Sequence, residues 1–202
     1  MVSRFLLVLG SFFVTPVVFA QSSGVCAPAV GPVALDDSAD RTVSARMRVL
    51  FDEDQAARMA ETVDWAVLGP QDAARRTEVM GYLGDGSLAT GADFYHAAFI
   101  FQHGDCPDHY KLANRLAARA VILGYDARWI YAATLDRYLL SVGEKQRFGT
   151  QYTSYDGCAY VLEPTDPKVS DAYRALYGVP SLAAAEEGAA GFSGENCSST
   201  GD

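Results

Sequence analysis

The side chains best suited to chemistry in this sequence are few and far apart. Asp136 and Arg137 interrupt a segment whose other members, Trp129, Ile130, Ala132, Ala133, Leu139 and Leu140, are apolar. Trp129 and Ala132 stand seven and four residues before Asp136, and Leu139 and Leu140 three and four after it. On a helix that spacing sets the carboxylate on or beside the packed stripe. A lone carboxylate there is too costly to leave without a cationic or hydrogen-bonding partner. Either it forms a structural ion pair that pins helices together, or Asp136 orients a histidine while Arg137 holds an anionic group.

His103 is the histidine that suits the second reading. It follows the apolar run Phe94–Phe101 and precedes Gly104, so it stands where a buried helix ends. As a plain helix-end capping group it would do no chemistry. His96 lies seven residues earlier, about 10.5 Å along a helix axis and too far to share one metal ion with His103. His109 falls in the first turn of the next helix, where exposure is expected. The string Gln146-Arg147-Phe148-Gly149-Thr150-Gln151 adds two amides around a glycine that permits close backbone approach. Such amides both donate and accept, so they suit reading a polar ligand or bracing a buried carboxylate, or they belong simply to a strand tucked under a helix.

The elements that must position these groups are mostly helical. Ala92–His103 is apolar on every side of a helical wheel, which makes it the central helix. Before it, apolar spacing predicts helices from Arg41 to Leu50, from Glu53 to Leu68, and from Gln71 to Leu83, with Gly69-Pro70 as a stop and restart. After it, Pro107 opens a helix that stops at Gly124, and another runs from near Asp126 to Ser141 with Gly143 past its end. An offset of 35 lays His96-Ala97-Ala98 over Tyr131-Ala132-Ala133 and Gln102 over Arg137, a tetratricopeptide- or Sel-one-like period carried by barely two units. From Gln146 to Glu163 the pattern becomes that of a β-hairpin centred on Asp156-Gly157. Short helices are expected over Lys168–Tyr177 and Ser181–Glu187. The fold class is therefore mainly α, a single domain of stacked helical hairpins with a small C-terminal β-hairpin.

Residues 1–20, with Arg4 ahead of a Phe5–Phe19 apolar run broken by Pro16, have the form of a signal peptide. Its removal leaves 182 of the 202 residues: an extended lead-in over 21–40, a helical domain over 41–188 and a loose tail over 189–202. In that chain 15 basic residues face 25 acidic ones without a basic run, which excludes nucleic acid and anionic membrane surfaces as natural partners. An exported chain, secreted or periplasmic, with four cysteines favours disulfides. Of the three connectivities, Cys106–Cys158 with Cys26–Cys197 is preferred because the first pair flanks the polar motifs. Neither Cys-x-x-Cys nor His-Glu-x-x-His spacing is present, so no metal is expected, and the absence of phosphate-binding glycine loops leaves no cofactor in view.

Four ordered strings, Asp54-Gln55-Ala56-Ala57-Arg58, Gln102-His103-Gly104-Asp105, Leu135-Asp136-Arg137 and Gln146-Arg147-Phe148-Gly149-Thr150-Gln151, together with the closing Arg174–Leu182, resemble a bacterial domain-of-unknown-function family. That family is marked by D-Q-x-x-R, Q-H-x-D, D-R and Q-x-[YF]-G-T-Q, and the similarity spans about residues 45–183. Gly104 stands where the family would have alanine, taken as a harmless change in size. The added cysteines and export signal also depart from the family pattern. The resemblance brings no activity. It implies that Asp54, Gln55, Arg58, Gln102, Asp105, Arg137, Gln146, Thr150 and Gln151 bind a ligand beside the catalytic candidates His103 and Asp136. The expected function is an exported pocket that binds or hydrolyses a small anionic or amide-bearing molecule. The alternative is a helical-repeat scaffold for a protein or peptide partner, with the polar motifs structural.

Overall fold

The computed structural model describes residues 41–154 and 159–191. The expected signal peptide, the expected lead-in and Asp156-Gly157 turn, the tail beyond 191 and Cys26, Cys158 and Cys197 lie outside the described residues, and with them both expected disulfide pairings. Within them the protein is mainly helical: α1 (Arg41–Arg58), α2 (Trp65–Gly84), α3 (Gly91–Gln102), α4 (Pro107–Ile122), α5 (Arg128–Ser141), β1 (Tyr152–Ser154), β2 (Tyr160–Leu162), α6 (Asp171–Leu176) and α7 (Leu182–Gly191). No helix among the described residues is long and apolar enough to cross a membrane.

The central helix is α3, in contact with α1, α2, α4 and α5. Its start is fixed by a capping box: the Thr90 hydroxyl accepts from Asp93 N at 3.1 Å, and the Asp93 carboxylate accepts from Thr90 N at 2.8 Å. Phe94, Ala97, Ala98, Ile100 and Phe101 are buried, as a helix without a polar face must be. Ala113, Ala117 and Ala120 of α4 and Ala133 of α5 are buried too, and such small side chains let neighbouring helices approach closely. Met47, Leu50, Val79, Leu83 and Ile130 complete this core.

Three expected boundaries are corrected. No break interrupts α1 near Leu50, and α2 starts before Gly69-Pro70 instead of after it. The reason is Asp64, whose carboxylate accepts from Ala66 N and Val67 N at 3.0 and 3.3 Å and starts α2 ahead of the proline. Pro70, so close to that start, removes a hydrogen bond without ending the helix. At the other end α7 continues to Gly191, beyond the domain edge expected at Gly188.

The hairpin pairs Tyr152 with Leu162, Thr153 with Val161 and Ser154 with Tyr160, antiparallel. It is joined to the helices by Phe148, which is buried against Ala132 and Val179 and stacks on Tyr173 at 5.7 Å. Arg174, buried beneath, donates to Phe148 O at 3.1 Å and Val169 O at 2.7 Å. The offset of 35 does bring Arg137 of α5 onto Gln102 of α3, but two helices in contact do not establish a repeat.

Candidate functional site

The site forms where α3 ends. The last carbonyls of a helix have no partner within it, and here two guanidinium groups supply them. Arg137 of α5 donates Nη1–H to Gln102 O at 2.7 Å, and Arg76 of α2 donates Nη1–H to His103 O at 2.7 Å. Both cations stand at the negative end of the helix, where its dipole favours them. His103 is thereby held at its backbone while its ring faces α1.

There Asp54 and Arg58, four apart on α1, form a pair at 2.8 Å with side chains only 1 % and 3 % exposed. Arg58 Nη2 continues to Asp72 Oδ2 at 2.5 Å, and Asp72 Oδ1 accepts from Arg75 Nη1 at 3.0 Å. Gln55 donates Nε2–H to Asp54 Oδ2 at 2.7 Å. The same oxygen lies 3.6 Å from His103 Nε2, just beyond hydrogen-bonding reach, with the Gln102 amide 3.4 Å from that nitrogen.

Burial decides the protonation of this group. His103 is held well below the usual histidine value, first by burial and then by Arg58, Arg137, Arg76 and Arg75, so it is a neutral base at neutral pH. Burial pushes Asp54 up to about 6 against the pull of Arg58 and Gln55. It brings Arg137 down to about 10, which leaves the guanidinium charged.

Asp136 does not orient His103, and this expectation is corrected. Its carboxylate is fully buried and turned to the 146–151 segment, where it accepts from Arg147 N at 2.7 Å and Phe148 N at 2.9 and 3.1 Å. Thr150 adds its backbone N–H at 3.1 Å and its hydroxyl at 2.8 Å. Gly149, at φ +80°, turns the chain so that the flanking N–H groups converge on one carboxylate. Burial raises the Asp136 carboxyl, while the donors of Phe148, Arg147 and Thr150 pull it back down. Gln146, also fully buried, receives Gln151 N at 2.9 Å and donates to Gln151 O and Glu163 O at 3.0 and 2.7 Å. Asp136 and Gln146 together clamp the start of the hairpin, and that clamp presents Gln151. The Gln151 Oε1 then accepts from Arg137 Nε and Nη2 at 3.1 and 3.0 Å.

Between these two networks lies a cleft of about 330 Å³. Of the expected residues, Arg58, His103, Arg137 and Gln151 line it. Asp54, Gln55 and Gln102 stand behind His103, whereas Asp136, Gln146 and Thr150 belong to the clamp. Asp105 is set apart: it is largely exposed, and it pairs with Arg76 at 3.2 Å and His109 at 3.0 Å. His109, expected to be exposed, is half-buried because the Phe101 ring lies 5.9 Å from it. Gly104 is no harmless substitution, since a Cβ there would overlap the His109 Cβ and lie 2.7 Å from its Cγ and Nδ1.

Sequence reasoning missed Asp72, Trp65, Tyr110 and Glu163 on the cleft wall and Arg75 and Arg76 behind it. Asp72, Arg75 and Arg76, three and four apart in one helix, were a readable sign of a charged face turned inward. Glu163 was not readable: a two-residue Asp156-Gly157 turn would set Leu162 across from Gln151, and the observed pairing of Tyr152 with Leu162 moves the register by one residue. Compared with known protein families, with curated proteins and with solved structures, the chain matches none.

Proposed function

We propose that the cleft binds a small anionic or amide-bearing molecule and that His103, backed by Asp54, is the base for its hydrolysis. The observation that carries this reading is that two buried guanidinium groups, Arg58 and Arg137, and a neutral imidazole line one cleft. Guanidinium groups in a desolvated site hold a carboxylate or phosphate strongly and stabilise charge that develops during reaction. For an amide, water attacks the carbonyl carbon as its proton passes to His103. Arg58 or Arg137 stabilises the oxyanion, the C–N bond breaks, and the proton leaves with the amine. In this scheme Asp54 takes the part first given to Asp136.

The apolar residues 5–19 behind Arg4 and the four cysteines support export to the periplasm or the medium, with Cys106–Cys158 and Cys26–Cys197 as the disulfides. Non-reducing peptide mapping of the mature protein tests those pairings. The functional reading is tested by thermal-shift screening of carboxylates, phosphates and amides on wild type and His103→Ala. Loss of the response in the variant with an unchanged melting temperature supports it; a drop in stability alone makes the cleft structural. A second reading, a scaffold for a protein or peptide partner, is favoured by the exposed apolar side chains Ile122, Leu123, Tyr125 and Trp129 around the α4–α5 turn. It expects partner binding that survives His103→Ala and is lost on Trp129→Ala.

A further inference from the structure

The cleft holds one charged group that the function above leaves without a task. Glu163 lines it, half-buried, and among the described residues no hydrogen bond or ion pair reaches its carboxylate. A half-buried carboxylate without a partner carries part of its desolvation cost uncompensated. Its position follows from the hairpin: Glu163 N donates to Gln151 O at 3.1 Å, one pair beyond Tyr152–Leu162. Gln151 and Glu163 are therefore opposite each other, with Cβ atoms about 5 Å apart and side chains on one face. Thr153 shares that face and also lines the cleft.

The Gln151 amide is in turn the group that holds Arg137, at 3.0 and 3.1 Å. A guanidinium and an unsatisfied carboxylate are thus one side chain apart on the same wall, and Trp65, Tyr110, Tyr152 and Leu140 line the rest with Arg58 and His103. An anion alone would complement the arginines and leave Glu163 facing negative charge. A cation alone would reverse the mismatch. A molecule that carries both charges a few ångströms apart satisfies both, and aromatic faces add attraction for an ammonium group.

Resting on the anion-binding reading of this cleft, we infer that its ligand is a small zwitterion of the amino-acid type, with its carboxylate on Arg137 and its ammonium group on Glu163. Tyr110, Tyr152 and Leu140 receive the side chain, and 330 Å³ is room for one such molecule. A hydrolysed substrate would be one that presents or releases this pair of charges.

The test uses the mature protein and a panel of the twenty amino acids, each with its N-acetyl and its carboxamide derivative. Thermal shift serves as the first pass and calorimetry as the measurement. At least one free amino acid is expected to bind, with both derivatives weaker by roughly ten- to a hundredfold, as the loss of one charge-assisted contact implies. Glu163→Gln, a change at the cleft wall with no partner to orphan, is expected to erase the preference for the amino acid over its N-acetyl form. N-acetyl derivatives that bind as well as the free amino acids overturn the zwitterion and leave the anion reading standing. Equal weakening of all ligands by Glu163→Gln also overturns it. No binding by any member overturns both.

Discussion

Replacement of Asp136 by alanine should unfasten the hairpin from the helices. The fully buried carboxylate receives three backbone N–H groups, of Arg147, Phe148 and Thr150, and the Thr150 hydroxyl. With the acceptor gone, those donors keep their desolvation without a partner, at about 1–3 kcal/mol each where water cannot reach. Phe148 is buried, and Arg147 and Thr150 are at the edge, so the sum is about 3–6 kcal/mol. A domain is stable by only about 5–15 kcal/mol. Asp136→Asn keeps the volume and one acceptor oxygen and should cost about half as much. Urea denaturation of wild type and both variants gives the cost, and hydrogen exchange at the Arg147, Phe148 and Thr150 amides localises it. An alanine variant within about 1 kcal/mol of wild type, or protection at those amides that survives the change, refutes the clamp.

Arg58→Met should cost about 3–5 kcal/mol in thermal or urea unfolding, because it leaves both Asp54 and Asp72 buried without their shared cation. Asp54 has a folded value of about 6 against 3.8 for the free group, so the folded state holds its proton more tightly. That contribution is complete below pH 3.8 and is lost as pH climbs through 6. Asp54→Asn should therefore gain stability relative to wild type by up to about 3 kcal/mol across that window, and a flat difference contradicts the assignment. His103 moves the other way: its lowered value gives stability present above the ordinary histidine range and lost as pH falls through the folded value. Gly104→Ala should lower stability by about 1–3 kcal/mol in a melting experiment, since the His109 Cβ cannot step aside without its backbone.

Much of the helical frame was legible because its signals are local. The all-apolar wheel of Phe94–Phe101 made α3 central. Pro107 marked the start of α4 and Gly143 the end of α5, and Asp156-Gly157 signalled a hairpin but not its register, in which Tyr152 pairs with Leu162. The start of α2 was misplaced because Pro70 is a louder signal than Asp64, yet a capping aspartate outweighs a proline in the early turns.

What the sequence by itself determined is the inventory and its grouping by element: a carboxylate and guanidinium four apart on α1, an imidazole at the end of α3, and an acid and a base side by side on α5. Adjacent positions on a helix project about 100° apart, so Asp136 and Arg137 had to serve different neighbours. Which neighbours was a matter of tertiary packing. The 146–151 string could be read as bracing a buried carboxylate through its amides, but the three backbone N–H groups that hold Asp136 leave no side-chain pattern to read, and the approach of α1 to the end of α3 set Asp54 beside His103 instead. Backbone donors and interhelical distances exist only once the chain is folded, and they divided one list of polar residues into a clamp and a cleft.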